Sequence, residues 1–175
     1  GTIACGDYLK TLHPNMKIVA SEALQCPTLL MNGFGAHRIE GIGDKHIPWI
    51  HNVRNTDFVT SIDDNACVHL LRLFNEPEGK KYLVEKGVPK EIVEQLNLLG
   101  ISSVANLLSA IKFAKYNELT GEDMVMTVFT DSVDMYTTRL AEYNEEFGPF
   151  TRDDASYAFG RYLMGENTSN MLELS

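Results

Sequence analysis

The run MVMTVF at residues 124–129 is the most apolar stretch of the chain, and Thr130, Asp131 and Ser132 follow it at once. It carries no charge, and its Val, Thr and Phe residues are β-branched or aromatic. That composition suits a strand covered on both faces, because a strand with one wet face alternates apolar and polar residues. A polar cluster at the carboxyl end of such a strand is where open α/β sheets place their ligands. The run therefore predicts a central strand with a candidate site at its end.

Two further runs read as strands, KIVASE at 17–22 and DFVTSI at 57–62, each bounded by turn residues. Helical patterns separate them. Residues 3–13 carry a stripe of Ile3, Tyr8, Leu9 and Leu12 and stop at His13, because the residue before Pro14 avoids the helical region. Residues 63–65 (Asp-Asp-Asn) supply an N-cap for a helix whose apolar positions are Ala66, Val68, Leu70, Leu71 and Phe74. Residues 80–98 are helical with breaks at Gly87 and Pro89. A further helix follows over 99–115, with Ser102 or Ser103 as cap and Val104, Leu107, Leu108 and Ile111 as its buried stripe. Residues 133–147 and 155–164 are the last helical stretches. This alternation predicts an α/β fold, a parallel sheet flanked by helices in three layers. Three strands are few for an independent sheet. The chain thus reads as part of something larger, and its opening GTIACG reads as an entry in mid-fold.

Composition narrows the function classes. With 44% hydrophobic and 22% charged residues the chain is globular rather than disordered. A net charge of -9 with scattered basic residues argues against binding nucleic acid, which requires a clustered positive surface. No apolar run approaches membrane-spanning length, so no membrane role is expected. Cys5, Cys26 and Cys67 have no paired spacing; they read as small buried apolar residues in a reducing, cytoplasmic compartment.

The stretch HRIEGIGDKHIP at 37–48 sits in a glycine- and proline-rich segment and could be a phosphate cradle, a metal site or a turn. Its two histidines, His37 and His46, lack the cysteine or carboxylate companions of a metal site, so no metal is expected. Trp49 beside it is expected to pack and anchor the loop.

Taken in order, several short motifs resemble one family. GT at 1–2 with the helix after it, KIVASE at 17–22, HRIEGIG at 37–43 followed by Ile47 and Pro48, LGISS at 99–103, and FTDS at 129–132 with Tyr136 are similar to segments of the cysteine synthase-like pyridoxal-phosphate enzymes. These are the fold type II enzymes, built like the tryptophan synthase β subunit. The resemblance covers roughly residues 1–140. It implies that 1–147 are the C-terminal portion of the family's domain and 148–175 a helical tail.

The family's pattern assigns roles to particular residues. Gly1 and Thr2 match the end of its phosphate-binding loop. Ser132 matches the serine that hydrogen-bonds the pyridine nitrogen, and Gly41, Ile42 and Gly43 match a loop lining the active site. The family's Schiff-base lysine and its substrate-carboxylate loop lie upstream of the phosphate loop, and no lysine of this chain matches that lysine. No catalytic residue is therefore assigned within these 175 residues. Pyridoxal 5'-phosphate is expected only in the complete protein, which would pair this portion with an N-terminal half. That protein would form a homodimer and carry out β-elimination or β-replacement on a serine- or cysteine-type amino-acid substrate.

The chain also departs from the family. Val104 and Val133 stand where the family has glycine, Thr130 where it has proline, and residues 76–98 read as an insertion. These departures and the missing lysine leave open a non-catalytic α/β binding or regulatory module. A dinucleotide-binding domain is disfavoured, because GTIACG is not GxGxxG, although Glu22 would suit a ribose contact.

Overall fold

The computed structural model describes residues 2–174; Gly1, Ser175 and the side chain of Thr2 lie outside the described residues. Helix α1 (Thr2–Leu12) leads through the turn at Pro14 to strand β1 (Val19–Ala23) and the single-turn α2 (Thr28–Met31). A long irregular segment carries the glycine loop. Strand β2 (Phe58–Ile62) follows, then α3 (Asp64–Asn75), α4 (Pro77–Glu85), α5 (Lys90–Gln95) and α6 (Ile101–Tyr116). Helix α7 (Thr137–Phe147) and α8 (Arg152–Tyr157) come next. A π-helical turn over Ala158–Met164 precedes a short strand, β3 (Met171–Glu173).

The fold is α/β, as the alternation of patterns predicts, but the sheet is mixed. Strand order is β1-β2-β3. β1 and β2 run parallel, with Val19 opposite Phe58 and Ala23 opposite Ile62. β3 runs antiparallel to β2, with Phe58 opposite Glu173. β3 was not foreseen; a three-residue strand is too short to leave a period in the sequence. All five residues of β2 are buried, which is the expected state of a strand with neighbours on both sides.

The run at 124–129 departs from expectation. It joins no ladder among the described residues, and it lies open to solvent, with Met124 87% and Met126 75% exposed. A strand exists only by pairing, and both edges of β2 are already taken by β1 and β3.

Helix α3 starts where expected: the Asp63 side chain accepts from Asn65 N at 3.0 Å. Ala66, Val68, Leu70, Leu71 and Phe74 are all buried. α6 packs on β1, β2 and α3 through Ile101, Val104, Ala105 and Leu108. The continuation of that stripe is polar. The Lys112 ammonium, 3% exposed, donates to Ser61 O at 3.0 Å and Ser169 O at 2.9 Å, and pairs with Glu166 at 3.5 Å. It ties the segment leading into β3 to the end of β2. Burial pushes this lysine's pKa down, against the opposing pull of Glu166. Cys26 and Cys67 are buried as expected, whereas Cys5 is exposed on α1. No single helix among the described residues is long and apolar enough to cross a membrane.

Candidate functional site

Three sequence-distant pieces meet at the N-terminus of α6. The first is the turn at 130–132. Gly100 N donates to Asp131 O at 3.0 Å, which brings the start of α6 against that turn. The Asp131 carboxylate then accepts from Ser102 N at 3.3 Å and Ser103 N at 3.1 Å, and from the Ser103 hydroxyl. It caps α6 from outside the helix. Ser102 and Ser103, expected as the cap, are instead the first-turn donors; the N-cap position is Gly100, which has no side chain to offer. Only glycine fits there, because a Cβ would lie 2.5 Å from Asp131 Cγ and 2.8 Å from Tyr136 Cε2. The Tyr136 hydroxyl completes the set, donating to Asp131 Oδ2 at 2.7 Å.

The electrostatics follow from these contacts. Burial pushes the Asp131 carboxyl up, but the hydrogen bonds from Ser103, Tyr136 and Ser102 outweigh it and hold its pKa below the ordinary carboxylate range. Burial and the neighbouring Asp131 push the Tyr136 hydroxyl upward. The first-turn amides of α6 are thereby consumed by a protein carboxylate, so this helix end is not available to a phosphate.

Ser132 follows in extended conformation, φ -121 and ψ 165, half-buried, with its carbonyl accepting from Met135 N at 3.2 Å. Among the described residues its hydroxyl has no partner. Successive side chains of an extended segment face opposite ways, so Ser132 is turned away from the cap that Asp131 makes. The neighbouring Thr130 hydroxyl lies 3.4 Å from Ser102 Oγ.

The second piece is the α6 first turn itself, and the third is the glycine loop. Gly41 and Gly43 adopt φ of 91 and 89, a region L side chains rarely enter. A Cβ on Gly41 would sit 3.7 Å from Ser102 Cβ, so the loop backbone lies against the first turn of α6. Ile42 packs half-buried on the core and Ile39 is fully buried. The loop base is held by Asp64, which accepts from Arg38 N at 3.0 Å, and by the Thr28 hydroxyl bonded to Asp44 O. It is also clasped to α7. Arg38 makes a two-pronged pair with Glu146 at 2.9 and 2.7 Å, while Arg139 bridges Glu40 at 2.7 Å and Glu142 at 2.6 Å. These pairs line a cleft of about 220 Å³.

The structure thus brings Ser102, the Gly41–Gly43 backbone and the Thr130–Ser132 turn together. Gly1 lies outside the described residues, and Thr2 is described only as the start of α1. Trp49 does not pack on the loop: its side chain is wholly exposed, at 104%. Glu22 is unavailable to a ribose, since its carboxylate accepts from Leu29 N, Leu30 N and the Ser61 hydroxyl at 2.8–2.9 Å. Among the described residues no group of three or more His, Cys, Asp or Glu side chains is arranged to hold a metal ion. Asp131 was read only as a member of the polar cluster at 130–132, not as the cap of α6, and the Arg38 and Arg139 clasp was not singled out in the sequence. The α6 amides that Asp131 caps lie 28 and 29 residues from it, and the charges that join the glycine loop to α7 lie 99 and 108 residues apart, separations that leave no local signal.

No protein-family model matches the chain. Cysteine synthase B of Campylobacter jejuni is 28% identical over 137 residues, which is 78% of this chain and 39% of that protein. Cystathionine beta-synthase of the honeybee Apis mellifera is 27% identical over 98% of this chain and 31% of its own length. Among solved structures, a hydrogen sulfide-producing enzyme from Fusobacterium nucleatum superposes with a TM-score of 0.56 and 26% identity, over 97% of this chain and 43% of that one. The chain is cysteine synthase-like. Its α/β architecture is that of the fold type II enzymes, and it corresponds to a C-terminal portion of them. The likeness runs beyond residue 140, since two of these matches cover 97–98% of the chain and so include residues the sequence motifs left unmatched. The chain spans about a third to two fifths of the length of these curated relatives. Those relatives depend on pyridoxal phosphate.

Proposed function

We propose that this cysteine synthase-like chain forms the ring-nitrogen side of a pyridoxal-phosphate site in a complete enzyme for β-replacement or β-elimination on a serine- or cysteine-type amino acid. The observation that carries the reading is Ser132. Among the described residues it is an unpartnered neutral hydroxyl beside a carboxylate, Asp131, that is fully engaged in capping α6 and so does not compete for the ring nitrogen. That donor set fits the pyridine end of the cofactor. Ser132 would hold the ring nitrogen without protonating it, Gly1 and Thr2 would contribute to the phosphate cup, and the Gly41–Ile42–Gly43 backbone would border ring and substrate. When bound, the cofactor supplies an electron sink through which a β-substituent of an amino acid can leave or be exchanged. The lysine that anchors the cofactor, and the groups that hold the substrate carboxylate, belong on this reading to the remainder of the protein, so the 175 residues alone are inactive. The complete protein is proposed to be a cytoplasmic homodimer, in keeping with its free cysteines.

The test uses the complete protein loaded with pyridoxal phosphate. The expected result is a visible cofactor band that Ser132→Asp displaces, with kcat for β-replacement lowered about tenfold or more, because a carboxylate would favour the protonated form of the ring nitrogen. Ser132→Ala is expected to leave the band and weaken retention of the cofactor. A complete protein with no visible band, or a band indifferent to Ser132→Asp, would overturn the proposal and favour a binding module.

A further inference from the structure

A second cavity, of about 250 Å³, opens where the π-helical turn and the segment leading into β3 meet the carboxyl end of β2. It is smaller than the roughly 300–1,000 Å³ that hold drug-sized molecules, so its occupant is small. Lys112, Glu166, Arg161 and Asp63 bring charge to its wall. The first two answer each other: buried Lys112 spends its donors on Ser61 O, Ser169 O and the Glu166 carboxylate. The other two are not joined by an ion pair. Arg161 stands on the π-helical turn and makes no hydrogen bond or ion pair among the described residues. The Asp63 carboxylate accepts at Oδ1 from Asn65 N at 3.0 Å and from Gln25 Nε2 at 2.9 Å. Those bonds fix it at the head of α3 and leave Oδ2 without a hydrogen bond among the described residues. The backbone around the cavity is unusual as well. π-helical turns are rare and concentrate at functional sites. Asn170, on the same wall, holds a φ of 56, which is uncommon outside glycine.

We propose that this cavity binds a small free α-amino acid. Its carboxylate would take a two-pronged pair from the Arg161 guanidinium, and its ammonium would donate to Asp63 Oδ2. The side-chain amide of Asn170, which has no partner among the described residues, would face a short side chain. The balance of charge selects this class of ligand. Lys112 and Arg161 on the wall are matched by Asp63 and Glu166. A simple anion would leave Asp63 unanswered, and a simple cation would leave Arg161 unanswered. A chain terminus of a peptide carries one of the two charges, whereas a free amino acid carries both on adjacent atoms. The cavity is set apart from the Ser132 turn, because Lys112 lies about 15 Å along α6 from Ser102. The inference therefore goes beyond the reading of Ser132 and does not depend on it.

The experiment is isothermal titration calorimetry of L-alanine into the complete protein, first free of pyridoxal phosphate and then loaded with it. L-Alanine carries both charges but no β-substituent that could leave. The expected result is saturable binding in both forms, weakened about tenfold or more by Arg161→Gln and by Asp63→Asn. Both variants should keep the fold, since Arg161 is exposed and asparagine caps a helix as well as aspartate does. Acetate and methylamine, each with one of the two charges, should bind the wild type about tenfold more weakly than L-alanine or worse. No saturable binding up to about 50 mM L-alanine would overturn the proposal. Acetate binding as tightly as L-alanine would do the same, by making the cavity an anion site. Binding indifferent to both variants would place the amino acid elsewhere, and would sink this inference while leaving the reading of Ser132 untouched. Binding that both variants weaken, in a protein that retains no pyridoxal phosphate, would sink the functional reading and leave this one standing.

Discussion

At the residue scale the site turns on Asp131, because one carboxylate satisfies two helix amides, the Ser103 hydroxyl and the buried Tyr136 hydroxyl. Removing it as Asp131→Ala deletes a helix cap, worth about 1 kcal/mol, and strands a buried phenol, costing about 1–3 kcal/mol more. A loss of roughly 2–4 kcal/mol in urea unfolding at pH 7 is expected. The pH dependence has a definite sign. Asp131 is depressed in the folded protein, so its contribution is complete above the unfolded carboxylate value of about 4 and is lost as pH falls through the lower folded value. Unfolding free energies measured from pH 2.5 to 7 should therefore fall below about pH 4 in the wild type and fall less steeply in Asp131→Asn. Equal slopes for the two proteins would mean that the cap carries no linkage. Gly43 shows why glycine stands at the neighbouring loop: besides its positive φ, a Cβ there would lie 2.5 Å from His37 Nε2.

At the scale of elements, the glycine loop and α7 are joined by exposed ion pairs, and such pairs contribute little singly. Here a two-pronged Arg38–Glu146 pair and an Arg139 that bridges Glu40 and Glu142 act on one short loop. The guanidinium of Arg38 also lies 5.4 Å over the Phe147 ring. The expected effect is on loop order more than on global stability. In the double variant Arg139→Gln/Glu146→Gln, trypsin should cut after Lys45 severalfold faster while the unfolding midpoint barely moves. About 1 M salt should accelerate the same cut in the wild type. An unchanged cleavage rate in both would show that Asp64 and Thr28 hold the loop without the clasp. Elements of this kind differ in how readable they are. α3 was legible because one local cap, Asp63, and one apolar period agree over its length. α6 was legible as a helix but not in its cap, since the capping carboxylate comes from residue 131. The glycine loop was legible as a loop of special conformation, from glycines that do adopt positive φ. Its attachment to α7 was not, because charges 99 and 108 residues apart carry no mutual pattern in the sequence.

At the scale of the whole molecule, many apolar residues fill a core centred on β2, α3 and α6. Others stay in water, among them the run at 124–129 and, on the far end of the glycine loop, Ile47, Trp49, Ile50 and Val53, exposed by 44 to 104%. Sequence patterning cannot separate the two, because a residue buried by its own chain and one buried by another part of a protein look alike. MVMTVF reads as a central strand and yet joins no ladder among the described residues. Exposed apolar clusters of this size mark interfaces. Trp49 is the only tryptophan of these 175 residues, so in this chain its fluorescence reports on the second cluster without labelling. In the 175-residue chain its emission should be that of a fully solvated indole, quenched by acrylamide as readily as a free tryptophan derivative. In the complete cysteine synthase-like protein, with any tryptophan outside these 175 residues replaced by phenylalanine, covering of this segment should shift the emission to shorter wavelength and cut quenching severalfold. Quenching that stays at the free level in the complete protein would show that 47–53 faces solvent there too. The glycine loop would then border an open mouth of the site rather than an interface.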